Sequence, residues 1–275
     1  MSRRFEYGKT GLSYAALVLF SMFFLFPLIH VLLISLKSPV DAFAVPTKWL
    51  FVPTFEHHRH LWLEKGFARY LFNSLAIGFG TVCISVPAAT LAAYGLVRHG
   101  GKLSSAILFI LLSLRMFPPM LLVIPYFLIA RQLHLYDTRS VMILVMVAFN
   151  QPFAIWLMRG FMLNVPKELD EAAIIDGCGP VTLMSRVIVP VMLPGMVTTA
   201  IFSFLLAYND YLFALVLTGT HAKTLPVAIG EYGAENILYW SLSAAGVCGV
   251  ILPVVVIMIF LQRGFVKGLT AGAIK

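Results

Sequence analysis

The sequence predicts an all-α polytopic membrane protein with six transmembrane helices, and three observations carry that prediction. First, 60% of the 275 residues are hydrophobic, only 12% are charged, and the mean hydropathy is +0.91. Soluble domains carry roughly 25% charged residues. Second, the apolar residues fall into six long runs, each sufficient for a helix to cross a hydrocarbon core of about 30 Å. Helices follow because every backbone N–H and C=O in lipid must be paired within the chain. Third, the basic residues behind the net charge of +8 are scattered at the ends of those runs. That is a topology signal; a nucleic-acid surface would gather them into one patch. Membrane lipid is therefore the expected surround, with no nucleic-acid partner. Cys83, Cys178 and Cys248 lie far apart with no C-x-x-C pair, so neither a disulfide framework nor a zinc site is implied.

Taken in order, residues 1–10 form a short polar start with Arg3, Arg4 and Lys9. Gly8-Lys9-Thr10 matches the end of a Walker A loop, but Arg3 stands where the upstream glycine belongs. The first span covers 12–36. Ala42-Phe43-Ala44 has the form of a cleavage site, yet the run before it exceeds the ~7–15-residue core of a signal peptide, so it is expected to stay in place. Residues 37–68 form a proline-rich loop, and 69–97 the second span, where Gly78-Phe79-Gly80 reads as helix packing. A basic turn from Arg98 to Lys102 leads to the third span, 103–130, loosened by Pro118, Pro119 and Pro125. The fourth is 140–160, with Asn150-Gln151-Pro152 inside it. A polar loop over 161–190 precedes the fifth span, 191–217. An outer loop over 218–238, a sixth span over 239–261 and a tail over 262–275 complete the chain. An even number of spans puts both termini on one side. That side holds 11 Lys and Arg and the other 8, five of them in the long 37–69 segment. The termini and the 161–190 loop are therefore predicted to be cytoplasmic.

The chain is organised around residues 164–194. Pro166 suits a first helical position, and Glu168, Asp170 and Glu171 place negative charge where the helix dipole favours it. Leu169, Ala172 and Ala173 share a face at i, i+3, i+4. Gly177, just after Asp176, reads as a left-handed C-terminal cap, and Gly179-Pro180 as the start of a second helix. Glu171-Ala172-Ala173, three residues, Gly177, nine residues, then Val187-x-Val189-Pro190 resemble the EAA loop of ABC importer permeases. Val187 and Val189 stand where that family more often has Ile and Leu. Met116-Phe-Pro-Pro119, Ile124-Pro125, Leu135-Tyr-Asp-Thr138, Tyr208-Asn-Asp210 and Gly268-Leu-Thr-Ala-Gly-Ala273 are similar to the carbohydrate branch, in particular its shorter, maltose-type member. The resemblance implies a single transmembrane domain over 1–275 with the type I importer permease fold, in a bacterial inner membrane. It implies half of a heterodimeric pore for a sugar, polyol or sugar derivative, completed by a second, paralogous permease. A dimer of ATP-binding subunits would hold ATP and magnesium, leaving this chain without cofactor, metal or catalytic residue. Leu169, Glu171, Ala172, Ala173, Asp176 and Gly177 would couple to those subunits. A periplasmic solute-binding protein would meet the outer loop at Gly230-Glu-Tyr-Gly-Ala-Glu235.

Arg115 and Asp210 are the two Lys, Arg, Asp or Glu residues well inside the spans, and intramembrane charge faces a cavity or a partner. Arg115 lies 13 residues past Lys102 and Asp210 16 past Pro194. These separations are roughly 20 and 24 Å along a helix, so the two are expected at depths close enough to pair, on or beside the translocation path. The same pair supports an alternative, an ion-coupled secondary transporter. Tyr208, Asn209, Asn150 and Gln151 are groups that grip sugar hydroxyls; Asn150 and Gln151 serve equally as interhelical hydrogen bonds. His57, His58 and His60 lie in one short segment and read as an exposed outer loop, not a metal clip.

Overall fold

A computed structural model describes the backbone over 2–235 and 239–271, with side chains over 13–232 and 239–262. The elements are α1 (Ser2–Ser35), α2 (Pro39–Ala42), α3 (Glu56–Leu63), α4 (Phe67–Arg98), α5 (Leu103–Arg115), α6 (Pro119–Gln132) and α7 (Arg139–Met162). They continue with α8 (Glu168–Ile175), α9 (Pro180–Thr182), a π-helical stretch Leu183–Ile188, α10 (Val189–Tyr208), α11 (Leu212–Leu217), α12 (Leu225–Glu235) and α13 (Trp240–Ala271). The described residues contain no strand. Five helical segments are long and apolar enough to cross a membrane: Ser13–Ser35, Phe67–Arg98, Arg139–Met162, Pro180–Tyr208 and Trp240–Gln262.

Three expectations need correction. The third span is not one rod: α5 and α6 meet at 87° across residues 116–118, and only together do they reach spanning length. Pro118 supplies the reason, being extended (ψ 123°) and followed by Pro119 in the first turn of α6; a residue before proline is pushed out of the helical region. The fifth span begins earlier than residue 191, since α9, the π stretch and α10 form one continuous helical segment from Pro180. The wider π turn lies just ahead of Pro190, whose ring would clash with the carbonyl four residues back in a regular α turn. That segment ends at Tyr208, so Asp210 sits in a break before α11 and not inside a continuous span.

The chain divides into two compact units, Met1–Phe67 with Ile229–Leu252, and Ala68–Ala228 with Pro253–Lys275. In the first, α1 leaves its large apolar side chains exposed, Phe23 at 74%, as a lipid-facing or partner-facing helix does. Lys65 anchors this unit: its ammonium lies over the Tyr232 and Tyr239 rings, and its carbonyl accepts from the Tyr232 hydroxyl at 3.4 Å.

In the second unit α7 is packed on by α5, α10 and α11. Two apolar clusters hold it. One joins Ile77, Met142, Met146, Phe213 and Leu217; the other joins Ala89, Ala93, Met158, Met162, Ala173 and Ile188. The reading of Gly78 and Gly80 as packing positions holds: a Cβ on Gly78 would meet the Phe204 ring, and one on Gly80 the Ile143 side chain. All three cysteines are free, Cys83 exposed on α4.

Candidate coupling and translocation sites

The helix α8 is built to hold a fixed pose. Glu168, Asp170 and Glu171 occupy its first turn, favouring the positive end of the dipole. Its far end closes as the sequence predicts: Gly177 has φ +77°, its N–H donates to Ile174 O, and the Cys178 N–H donates to Ala173 O. These two bonds are a Schellman cap, which satisfies carbonyls that otherwise end unpaired. Asp170 and Ala173 are the buried residues of α8. This corrects the expectation for Ala173: it faces this chain's own core, alongside Ala93 and Met162. Ala172, Glu171, Asp176 and Gly177 are exposed, and Leu169 is 36% exposed.

The exposed face carries more than the expected residues. Ile174, Ile175 and Val181 lie bare, Ile175 at 85%. A short apolar patch beside Glu171 is the composition of a docking surface. The sequence held the signal, because Ile174 and Ile175 follow the two alanines inside a polar loop, where solvent exposure disfavours them.

Asp170 carries a second feature that sequence reading missed. Arg98, the last residue of α4, donates Nε–H to Asp170 Oδ2 at 2.6 Å and Nη2–H to Oδ1 at 3.4 Å. The same Nη2 donates to the carbonyls of Val165 at 3.0 Å and Pro166 at 3.3 Å.

Arg115 and Asp210 are not paired. No ion pair joins them among the described residues. Arg115, at the α5 side of the break, lays its guanidinium over Phe149 at 5.8 Å and Phe153 at 4.8 Å, while its Nη1 is buried without a hydrogen bond. It lines a cavity of ≈ 300 Å³ with Leu122, Tyr126, Phe149 and Pro152. Asp210 instead accepts from the Ala214 N–H at 3.0 Å, just ahead of the first turn of α11, where negative charge complements the helix dipole. The two groups are not aligned in depth on straight helices, because α5 and α6 meet at 87° and α10 ends at Tyr208.

A second cavity, ≈ 590 Å³, brings together Asn150, Asn209 and Asp210 with Phe149, Phe202 and Tyr211. Asn150 is 1% exposed, and both ends of its amide lack a hydrogen-bond partner among the described residues. Gln151 points elsewhere: its Oε1 accepts from Ser85 Oγ at 2.9 Å and its Nε2 donates to Ser85 O at 3.4 Å, joining α7 to α4. Tyr208 is buried and stacked on Phe204, outside this cavity's lining. Of the predicted pathway residues, three therefore share one cavity, Arg115 lines another, and Gln151 and Tyr208 are packed into helix contacts.

The Leu135–Thr138 stretch forms a clasp. Asp137 (φ 59°) accepts from the backbone N–H of Gly219 at 2.7 Å, His221 at 2.9 Å and Ala222 at 2.9 Å, and contacts His221 Nδ1 at 3.0 Å. Burial pushes the carboxyl pKa up, but these donors outweigh it and hold it at about 2. Asn73 completes the clasp, donating to the carbonyls of His221 and Lys223.

His57, His58 and His60 lie on helix α3, where a loop was expected, and each has its own partner: Lys37 O, Ser35 Oγ and Glu64. No metal-ligating group of three side chains occurs among the described residues. The expected partner loop at 230–235 is part of α12, and its Tyr232 is 6% exposed, so that ring is not free for a partner. The side chains of 233–235 and of the tail motif 268–273 lie outside the described residues.

Comparison with known proteins adds four findings. Residues 85–270 match the family described as binding-protein-dependent transport system inner membrane component. The trehalose transport system permease protein SugB of Mycobacterium tuberculosis is 35% identical over 257 residues, covering 91% of this chain and 92% of that one. The sulfoquinovosyl glycerol transport system permease protein SmoH of Agrobacterium fabrum is 31% identical over 253 residues, covering 91% and 89%. Among solved structures, a chain of a bacterial ABC transporter that imports the acidic polysaccharide alginate aligns with a TM-score of 0.69 at 22% identity, over 92% of this chain and 95% of that one.

Proposed function

This chain belongs to the inner membrane components of binding-protein-dependent transport systems, and on that premise we propose that it forms half of a heterodimeric sugar-import pore. The pore's other half is a second, paralogous permease. A periplasmic solute-binding protein delivers the solute, and a dimer of ATP-binding subunits, which hold ATP and magnesium, drives the cycle from the cytoplasm. Both termini and α8 face the cytoplasm, in keeping with the Lys and Arg distribution. The family leaves the ion-coupled alternative without support.

The observation that carries the coupling role is the exposed Glu171, Ile174, Ile175 and Val181 surface on a helix capped at its C-terminal end by the Gly177 motif and packed inward through Ala173. Glu171 supplies the charged contact, Leu169, Ala172 and Asp176 border it, and Gly177 keeps the helix end closed. For the solute, the Asn150, Asn209 and Asp210 cavity offers amide and carboxylate groups on an aromatic-walled surface, the composition that binds sugar hydroxyls. Relatives named for trehalose and for sulfoquinovosyl glycerol support a carbohydrate or carbohydrate-derived solute.

Solute uptake and solute-stimulated ATP hydrolysis by the complete complex in proteoliposomes test the reading. Glu171→Ala is expected to lower both together, several-fold, while the complex still assembles. Uptake that continues without ATP-binding subunits and follows an ion gradient overturns it.

A further inference from the structure

The Arg98–Asp170 pair does something that neither the EAA-type stretch nor the solute cavity accounts for. The chain itself ties α8 to α7 before it and to α9 after it. Arg98 is 72 residues away from Asp170 in sequence, at the C-terminal end of α4, where its charge also complements the helix dipole. One guanidinium grips both carboxylate oxygens of Asp170 and the carbonyls of Val165 and Pro166, so it holds the helix and the strand of chain that leads into it. The two side chains are only 7% and 11% exposed. A surface pair at that spacing is loosened by water and salt; a buried one held through two of the guanidinium nitrogens to four acceptors is geometrically restrained. Below it, Ala89 and Ala93 of α4 lie in the same apolar cluster as Val165 and Ala173, so the contact is braced by packing.

We propose that Arg98 and Asp170 form a latch that makes the end of α4 and the coupling helix α8 move as one body. Displacement of α8 then reaches the second span directly, in parallel with the chain connections to α7 and α9. Arg98 is a positioning residue: it acts through α8 and touches neither partner nor solute. The inference rests on the reading of α8 as the element that receives motion from the ATP-binding subunits. It assigns a purpose to the basic turn after the second span, and it separates Asp170 from its neighbour Glu171. The two residues differ in direction: Asp170 faces inward to the latch, Glu171 outward to the partner.

The test uses the complete complex, with spin labels on Lys102→Cys and Lys167→Cys after replacement of the three native cysteines. Both positions are exposed, one just beyond α4 and one at the start of α8. The inter-label distance is measured with and without bound ATP. Expected is one narrow distribution, unchanged by ATP, in the otherwise native chain, and a broad or ATP-dependent one in Asp170→Asn. Solute imported per ATP hydrolysed should fall roughly two- to thirtyfold in Asp170→Asn, the range for altered residues in a coupling network. The exchange Arg98→Asp with Asp170→Arg should recover part of that loss, which a purely local destabilisation would not allow. A native distance that changes with ATP overturns the latch. So does an Asp170→Asn complex with native distances and native solute per ATP. Where Asp170→Asn fails to assemble, the native distances and the exchanged pair decide the question. Glu171→Ala serves as the separate control: if it leaves ATPase and uptake intact, the docking reading fails, whereas the label distances still report on the latch.

Discussion

Asn150 buries both ends of its amide in a cavity wall with no protein partner described for either. An unmet buried polar group costs about 1–3 kcal/mol, and a group that merely joined helices would have found a partner, as Gln151 has in Ser85. Asn150→Leu is therefore expected to leave thermal stability unchanged or raise it by about 1 kcal/mol, while uptake per assembled complex falls. Lower stability with normal uptake would return Asn150 to a structural role. Asp137 gives a second prediction at this scale. Its carboxylate accepts three backbone N–H bonds, so Asp137→Asn should cost about 1.5 kcal/mol, the low end for bonds to a charged group because the exposed His221 ring lets in solvent. Its pKa is depressed to about 2 in the folded chain, against about 3.9 when unfolded. The ionised form therefore stabilises the fold above about pH 4, and this contribution is lost as pH falls through about 2. Thermal unfolding of the two proteins should differ at pH 6 and converge near pH 2; a difference that persists at low pH refutes the assignment.

At the scale of the element, α8 shows how one short helix divides its faces. Ala173 and Asp170 belong to the protein's interior, and Ile175 is left on the exposed face. Because Ile175 is 85% exposed, Ile175→Asp should change the stability of this chain by no more than about 0.5 kcal/mol. Recovery of ATP-binding subunits with the purified chain should nevertheless drop sharply. Normal recovery would show that the exposed isoleucines lie outside the docking surface. The α5–α6 pair illustrates the opposite case, where two prolines turn one apolar run into two helices at 87°. The sequence disclosed the weakness at Pro118-Pro119 but not the angle, which depends on what each half packs against: α5 against α7, and α6 against α11.

For the molecule as a whole, the testable property is its sidedness. Lys102 and Lys167 are predicted on the cytoplasmic side, and Glu56 on the other. In an otherwise cysteine-free chain, Lys102→Cys and Lys167→Cys should react with a membrane-impermeant maleimide only in inside-out vesicles, and Glu56→Cys only from the periplasmic side. Lys102→Cys and Lys167→Cys reacting on opposite sides would break the topology. The large apolar surface left bare on α1 and α6, with Phe23 and Ile124 well exposed, fits a chain surrounded by lipid and by other subunits.

The six apolar runs, the family resemblance and the cap at Gly177 were legible in the sequence because each rests on local chemistry: hydrophobic length, residue spacing and the left-handed backbone that glycine tolerates. Legibility ended where a role depends on which distant group lies opposite. Ala173 carries the same side chain as Ala172, and only the packing of α8 against the π-helical stretch Leu183–Ile188, within the apolar cluster that includes Ala93 and Met162, turns one inward and the other out. Arg115 and Asp210 looked like a pair on two straight helices; the break at Pro118 and the end of α10 at Tyr208 send one to the aromatic faces of Phe149 and Phe153 and the other to the start of α11. Arg98 and Asp170 looked like an ordinary basic turn and an ordinary first-turn acid. Tertiary structure alone brought them together across 72 residues, because a buried charge is tolerable only where the fold provides its opposite.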